Sequence, residues 1–169
     1  MRGKGWKKGI LGETRCLRHC TYNTECGITC MVKLVIDTNV LVAAVRSKRG
    51  ASFLLLSLLG RGYYELYLSV PLALEYEEVL TRMLPDLGWT RNELDDFLRV
   101  LYAAANKQDI HFLTRPKLPD PGDEKVLEVA VNAGCDYIVT YNKRDFVGSE
   151  TYGVQVVDTK TFLETIGIL

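Results

Sequence analysis

The sequence predicts a single α/β domain of three layers, with helices on both faces of a central parallel sheet. Three observations carry this. Strand-like and helix-like segments alternate along the chain, which favours parallel pairing with helical crossovers. Two β-branched runs, VKLVI at Val32–Ile36 and YIVT at Tyr137–Thr140, each run straight into turn and cap residues. The 169 residues, 47% hydrophobic and 25% charged, are the composition of one globular domain with a real core.

Taken in order, Val32–Ile36 is a buried strand closed by Asp37-Thr38-Asn39. Val40, Leu41, Ala44 and Val45 then follow helical spacing, and Arg46–Gly50 is a basic turn. Ala51–Leu59 is a second helix, closed by Gly60-Arg61-Gly62. Tyr64–Ser69 alternates like a strand. Pro71 suits the first turn of a helix running to about Met83, and Pro85–Gly88 breaks it. Thr90 and Glu93 form a capping box for a helix to about Ala105. Asp109–Phe112 is expected as a short strand, and Pro116, Pro119 and Pro121 as a rigid loop. Gly122-Asp123-Glu124 opens a helix ending near Gly134. After Tyr137–Thr140 come a turn at Asn142–Phe146, a strand at Val154–Val157 and a helix at Thr159–Ile166.

Residues 1–30 differ from the rest. They hold six basic residues against two acidic ones, so that residues 31–169 are net acidic although the whole chain has zero net charge. An acidic domain does not hold nucleic acid by bulk charge, which leaves a local basic rim or metal ions for that task. Cys16, Cys20, Cys26 and Cys30 also fall in this stretch, with only Cys135 beyond it. The spacing C-x3-C-x5-C-x3-C leaves a tight loop for a tetrahedral zinc site, so a tail of free thiols is the expected reading. The division is therefore a disordered tail or a mis-assigned start over 1–30, with Met31 as the alternative first residue, and the domain proper over 31–169. No apolar run reaches the roughly 18 residues of a membrane helix, and no secretory apolar block opens the chain. A cytoplasmic location is expected.

In parallel α/β sheets, ligands bind beyond the carboxyl ends of the strands, near the point where strand order reverses. Asp37 follows VKLVI, Asp145 follows YIVT, Asp123 opens a helix, and Glu75 lies in the first turns of the helix after YELYLS. Four carboxylates meeting at one edge need a counter-charge, and oxygen-only ligands favour Mg²⁺ or Mn²⁺. Each acid has a plainer reading as well. Asp37 and Asp123 suit helix caps, Glu75 shares an acidic run with Glu77 and Glu78, and Asp145 suits a turn.

The segments VIDTNVLV, LALEYEEVLTR and DPGDEKVLEVAVNAGCDYIVTYNKRDF together resemble the PIN-domain nucleases, and within them the VapC-like toxin ribonucleases of toxin–antitoxin pairs. The resemblance spans essentially all of 31–169. It implies a PIN-like fold with Asp37, Glu75, Asp123 and Asp145 as catalytic acids. Of the three neighbouring glutamates it selects Glu75, the one followed four and five residues later by Val79 and Leu80. Asn39, Thr140 and Asn142 would support the site. Other members carry Asp where Asn142 stands, so the resemblance implies a four-acid site. Asp120 lies close by and equally suits the turn before Pro121.

The implied activity is metal-dependent hydrolysis of RNA to 5′-phosphate and 3′-hydroxyl products. Mg²⁺ or Mn²⁺ would sit among Asp37, Asp123 and Asp145, with Glu75 binding through water or orienting the attacking water. Arg46, Lys48, Arg49, Lys143 and Arg144 are candidate phosphate contacts at the rim. The resemblance further implies a homodimer and an antitoxin partner, and the apolar run Phe53–Leu56 with Leu58 and Leu59 offers either a surface for them or ordinary core. Metal-free RNA cleavage through histidine is disfavoured, because only His19 and His111 are present and His111 falls in a predicted strand. Two other classes compete: a non-catalytic module binding RNA or a partner, which the full set of acids argues against, and a phospho-acceptor using an Asp with Lys143, which gives Glu75 no role.

Overall fold

The computed structural model describes residues 31–113, 118 and 122–169. Five strands form one parallel sheet in the order β3-β2-β1-β4-β5. They are β1 (Val32–Ile36), β2 (Tyr64–Leu68), β3 (Asn106–Lys107), β4 (Tyr137–Val139) and β5 (Gln155–Val157). The chain steps outward from β1 to β2 and β3, then returns to the other side of β1 for β4 and β5. β1 pairs Leu34 with Leu66 on one side and Ile36 with Val139 on the other. The β1/β4 seam is thus the switch point, and its carboxyl end is where a ligand site belongs.

Among the described residues seven helices flank the sheet in the three-layer arrangement: α1 (Thr38–Arg46), α2 (Ala51–Ser57), α3 (Val70–Arg82), α4 (Leu84–Leu87), α5 (Arg91–Ala104), α6 (Glu124–Ala133) and α7 (Thr159–Thr165). Their starts are chemically marked. Ser69 accepts from the Leu72 N–H at the head of α3, Thr90 and Glu93 complete the expected capping box on α5, and Asp158 accepts from the Thr161 N–H on α7. Gly134 closes α6 at φ 60°, a left-handed conformation that a β-carbon disfavours. Leu34, Val35 and Ile36 of β1 are sealed on both faces, together with Leu66, Ile138, Val139, Leu127 and Phe162. That burial is why a parallel strand here reads as a continuous apolar run rather than an alternating one.

The structure differs from expectation in two places and decides an open reading in a third. α3 ends at Arg82, next to the expected Met83, but Pro85 does not simply break the helical path that follows. It sits in the first turn of the short α4, where a missing N–H is harmless, and Gly88 at φ 63° makes the stop. Asp109–Phe112 is not a strand. The edge strand is the two-residue β3, and the N–H groups of His111 and Phe112 go instead to the Asn132 side-chain oxygen, 2.9 Å from each. His111 is accordingly exposed, not a core histidine. The apolar run of α2 resolves as core: Leu55, Leu56, Leu58 and Leu59 are buried, leaving only Phe53 and Leu54 partly exposed. Residues 1–30 with their four cysteines, Asp120 and the three loop prolines lie outside the described residues.

Candidate active site

Asp37 is the first residue after β1, and its N–H still donates across the seam to the Val139 carbonyl at 3.0 Å. The carboxylate is only 5% exposed. It stands at the N-cap position of α1 without a standard side-chain cap, although the Thr38 and Asn39 N–H groups at the head of that helix favour its charge. Oδ2 instead accepts from Thr140 Oγ1 and from Asn39 Nδ2, both at 2.6 Å. The network continues outward. Asn39 Nδ2 also reaches Thr140 Oγ1 at 3.1 Å, the Asn142 N–H donates to the same hydroxyl at 2.9 Å, and Asn39 Oδ1 accepts from the Tyr141 N–H at 3.2 Å. Thr140 therefore donates once and accepts twice, the full capacity of a hydroxyl. Asn39, Thr140 and Asn142, the expected supporting residues, thus act by holding one oxygen of Asp37 and tying the ends of β1 and β4 together.

Burial raises the pKa of Asp37 above the ordinary carboxylate value, and the Glu75 charge adds to the rise, while Thr140 and the Asn39 and Thr38 N–H groups act against it. Glu75 thus stands near Asp37. Its own oxygens are engaged: Oε1 accepts from Thr38 Oγ1 at 2.6 Å, and Oε2 from Lys125 Nζ at 2.8 Å. The helix that carries Glu75 is locked to β1 by the next residue, because the buried Tyr76 hydroxyl donates to the Ile36 carbonyl. Burial, with the charges of Asp37 and Glu75, pushes the Tyr76 phenol far above its usual range, so it stays a neutral donor.

Asp123 is the N-cap residue of α6, helical in conformation and making no side-chain cap. It stands two residues before Lys125, whose ammonium reaches Glu75. Asp145 lies half-buried in a 3-10 turn (Lys143–Phe146) that follows β4. Its N–H bonds to the Asn142 carbonyl at 3.1 Å. Asp37 and Glu75 are therefore brought together, whereas among the described residues no three His, Cys, Asp or Glu side chains stand close enough to hold a metal ion.

Of the expected rim cations, Arg46, Lys48, Arg49 and Arg144 are exposed. Lys143 is engaged, its Nζ 2.6 Å from Asp158 Oδ2. That ion pair, with the Thr161 N–H, pulls the Asp158 carboxyl down to about 2. The sequence reading missed Thr38, Tyr76 and Lys125. Thr38 was in view within D-T-N and Tyr76 beside Glu75, but the role of each comes from a partner 37 or 40 residues away. Lys125 reads as a solvated charge on an amphipathic helix, and only the packing of α6 against α3 discloses it.

A family model described as PIN domain matches residues 33–144, which takes in Asp37, Glu75, Asp123, Thr140 and Asn142. No curated protein matches the chain. Among the described residues no helix is long and apolar enough to cross a membrane.

Proposed function

The chain belongs to the PIN-domain family, whose members are generally nucleases, and from that premise we propose that it is a divalent-metal-dependent endoribonuclease acting through Asp37, Glu75, Asp123 and Asp145. The observation that carries the reading is Asp37, a buried carboxylate at the switch point with one oxygen committed to Thr140 and Asn39 and no side-chain donor on the other. A cap or a structural ion pair would not leave a desolvated charge beside a second acid. The donor chemistry fits a hard cation, since carboxylate oxygens of Asp37, Asp123 and Asp145 are the ligands that Mg²⁺ or Mn²⁺ prefers. When bound, such an ion would lower the pKa of water and offset charge on a phosphodiester.

The chain's own residues supply the rest. Thr140 and Asn39 fix the rotamer of Asp37 through Oδ2, so that the carboxylate is held without further ordering. Thr38 and Lys125 fix Glu75 in the same way, which suits that acid to orienting a water rather than binding the ion directly. Arg46, Lys48, Arg49 and Arg144, all exposed, would contact phosphates, and Lys143 would join them only by leaving Asp158. A toxin role within a toxin–antitoxin pair, a homodimer and a cytoplasmic setting complete the proposal. Supporting a protein partner are Val70 and Leu74, exposed four residues apart on α3, and the exposed pair Phe112 and Leu113.

The test is cleavage of single-stranded RNA by the full chain with Mg²⁺ or Mn²⁺ against EDTA, alongside Asp37→Asn. Substitution removes the charge at constant shape, so activity should fall by orders of magnitude while RNA binding persists. Equal cleavage by parent and variant would overturn the mechanism and favour the non-catalytic binding module.

A further inference from the structure

Tyr141 has no part in the acid chemistry, yet it stands between Thr140 and Asn142, the two residues that brace Asp37. Both of its polar ends are tied down. The N–H donates to Asn39 Oδ1 at 3.2 Å, and the hydroxyl lies 2.6 Å from Ser52 Oγ, a side chain that is itself 2% exposed and 3.4 Å from Thr159 Oγ1. Tyr141 as a residue is nevertheless 48% exposed. A tyrosine whose hydroxyl is held by a buried serine while the residue stays half open to solvent keeps its ring in one orientation at the surface, able to present a face. Arg144 is exposed three residues further on, and the basic turn after α1 leads into α2, on which Ser52 sits.

We propose that the Tyr141 ring is a stacking platform for one nucleobase of single-stranded RNA, next to the bond that is cut. The proposal rests on the nuclease reading for its location and adds a subsite to it. An aromatic face accepts any unpaired base, and a ring whose two torsions are already fixed loses little entropy when a base covers it. Duplex RNA keeps its bases stacked inside the helix and cannot offer one, so the platform selects unpaired strands. Stacking on one face with phosphates held by neighbouring arginines is a general way of holding single strands without reading their sequence. The role is positioning: a base pinned at Tyr141 sets which phosphate reaches Asp37.

The experiment uses the full chain in the Asp37→Asn background, so that RNA is bound and not consumed. Affinity for a labelled single-stranded RNA is measured by anisotropy for that protein and for the same protein with Tyr141→Ala or Tyr141→Phe. The oligonucleotide is then varied by placing one abasic nucleotide at each position in turn. Loss of the ring should weaken binding by about 5- to 100-fold, the range found for one stacked base, and Phe should stay within about threefold of Tyr. One abasic position should weaken the Tyr protein by a similar factor and leave the Ala variant unchanged, which a purely structural role for Tyr141 would not produce. In cleaving protein, Tyr141→Ala should raise KM and largely keep kcat. Equal binding by the Tyr and Ala proteins, or equal sensitivity of both to every abasic position, overturns the platform. Tighter binding of single-stranded DNA than RNA overturns the assignment to RNA. Failure of the nuclease reading is separate: the parent would then bind single strands in a Tyr141-dependent way and never cut them.

Discussion

Thr140→Val tests whether the hydrogen bonds at the β1/β4 seam hold Asp37 as described. Valine nearly matches threonine in shape, so packing around this fully buried side chain is kept and the hydroxyl alone is lost. The variant forfeits the 2.6 Å bond to Asp37, a charge-assisted bond contributing about 1.5–3 kcal/mol. The acceptor for the Asn39 and Asn142 donors goes as well, but these positions are only part-buried and water can reach them, adding roughly 0–1 kcal/mol. The total is about 2–4 kcal/mol, or roughly 5–15 °C in Tm for a domain of this size. The loss should depend on pH, and its sign follows from Asp37. Burial already raises the folded pKa above the unfolded value of 3.8, so ionised Asp37 lowers stability as pH climbs from there through the folded pKa. Removing Thr140 removes a group that favours the ionised form, which raises the pKa further and widens that loss. The penalty should therefore be complete above the folded pKa and shrink as pH falls through it. Urea unfolding followed by circular dichroism, in EDTA between pH 4.5 and 8, measures this, with Thr140→Ser as the variant that should retain stability. A penalty below about 1 kcal/mol at pH 8, or one that is the same at every pH, would refute the reasoning.

Two further substitutions probe the charges around the acids. Lys125→Met should cost the metal-free protein less than about 1 kcal/mol, since its pair with Glu75 is part-exposed, and should tighten Mn²⁺ binding severalfold in calorimetry by removing a positive charge from the site; weaker binding would mean that Lys125 assists the ion. Lys143→Ala should raise the Asp158 carboxyl from about 2 towards its ordinary value while the Thr161 N–H keeps part of the shift, as read by NMR titration. Because that pKa is depressed, the pair's contribution is present above the unfolded value of 3.8 and is lost as pH falls towards 2; an unmoved titration would mean that Lys143 is not held by Asp158 and is free for phosphate.

The fold was legible where local chemistry and packing agree. VKLVI, YIVT and the Thr90–Glu93 box each state their structure within a few residues, and the fold keeps all three. Asp109–Phe112 was misread because apolar residues flanking a polar one suggest a strand, while the actual pairing is decided by which backbone groups Asn132 captures from α6. In the site, the identities of Asp37, Asn39 and Thr140 could be expected from motif and placement, but not the direction of their bonds. Nothing in D-T-N says that Asn39 turns its amide to Asp37 while Thr38 turns away to Glu75. Those choices follow from where α3 and β4 bring their own groups, which is tertiary information. Lys125 is the clearest case, because its helix periodicity alone reads as solvent-facing.

The seam also bears on why these side chains occur together. A buried ionised carboxylate beside a second acid lowers stability, and the donors on Asp37 offset only part of that, since its pKa remains raised. Replacing Asp37 alone with an apolar residue would not free the fold from the burden, because the buried Thr140 hydroxyl would then lose its acceptor. Asp37, Asn39 and Thr140 are coupled, and so are Thr38, Glu75 and Lys125 one layer away, with Tyr76 fastening the second group to the strand that carries the first. A fold built only for stability would have an apolar contact at the carboxyl end of its central strand, as it does along the rest of β1. The polar cluster interrupts the apolar run of β1 at the switch point, where parallel sheets take their ligands. A cation that neutralised Asp37 and its neighbours would remove the remaining electrostatic penalty. On this account a bound cation would raise the stability of the fold by offsetting the charge of Asp37.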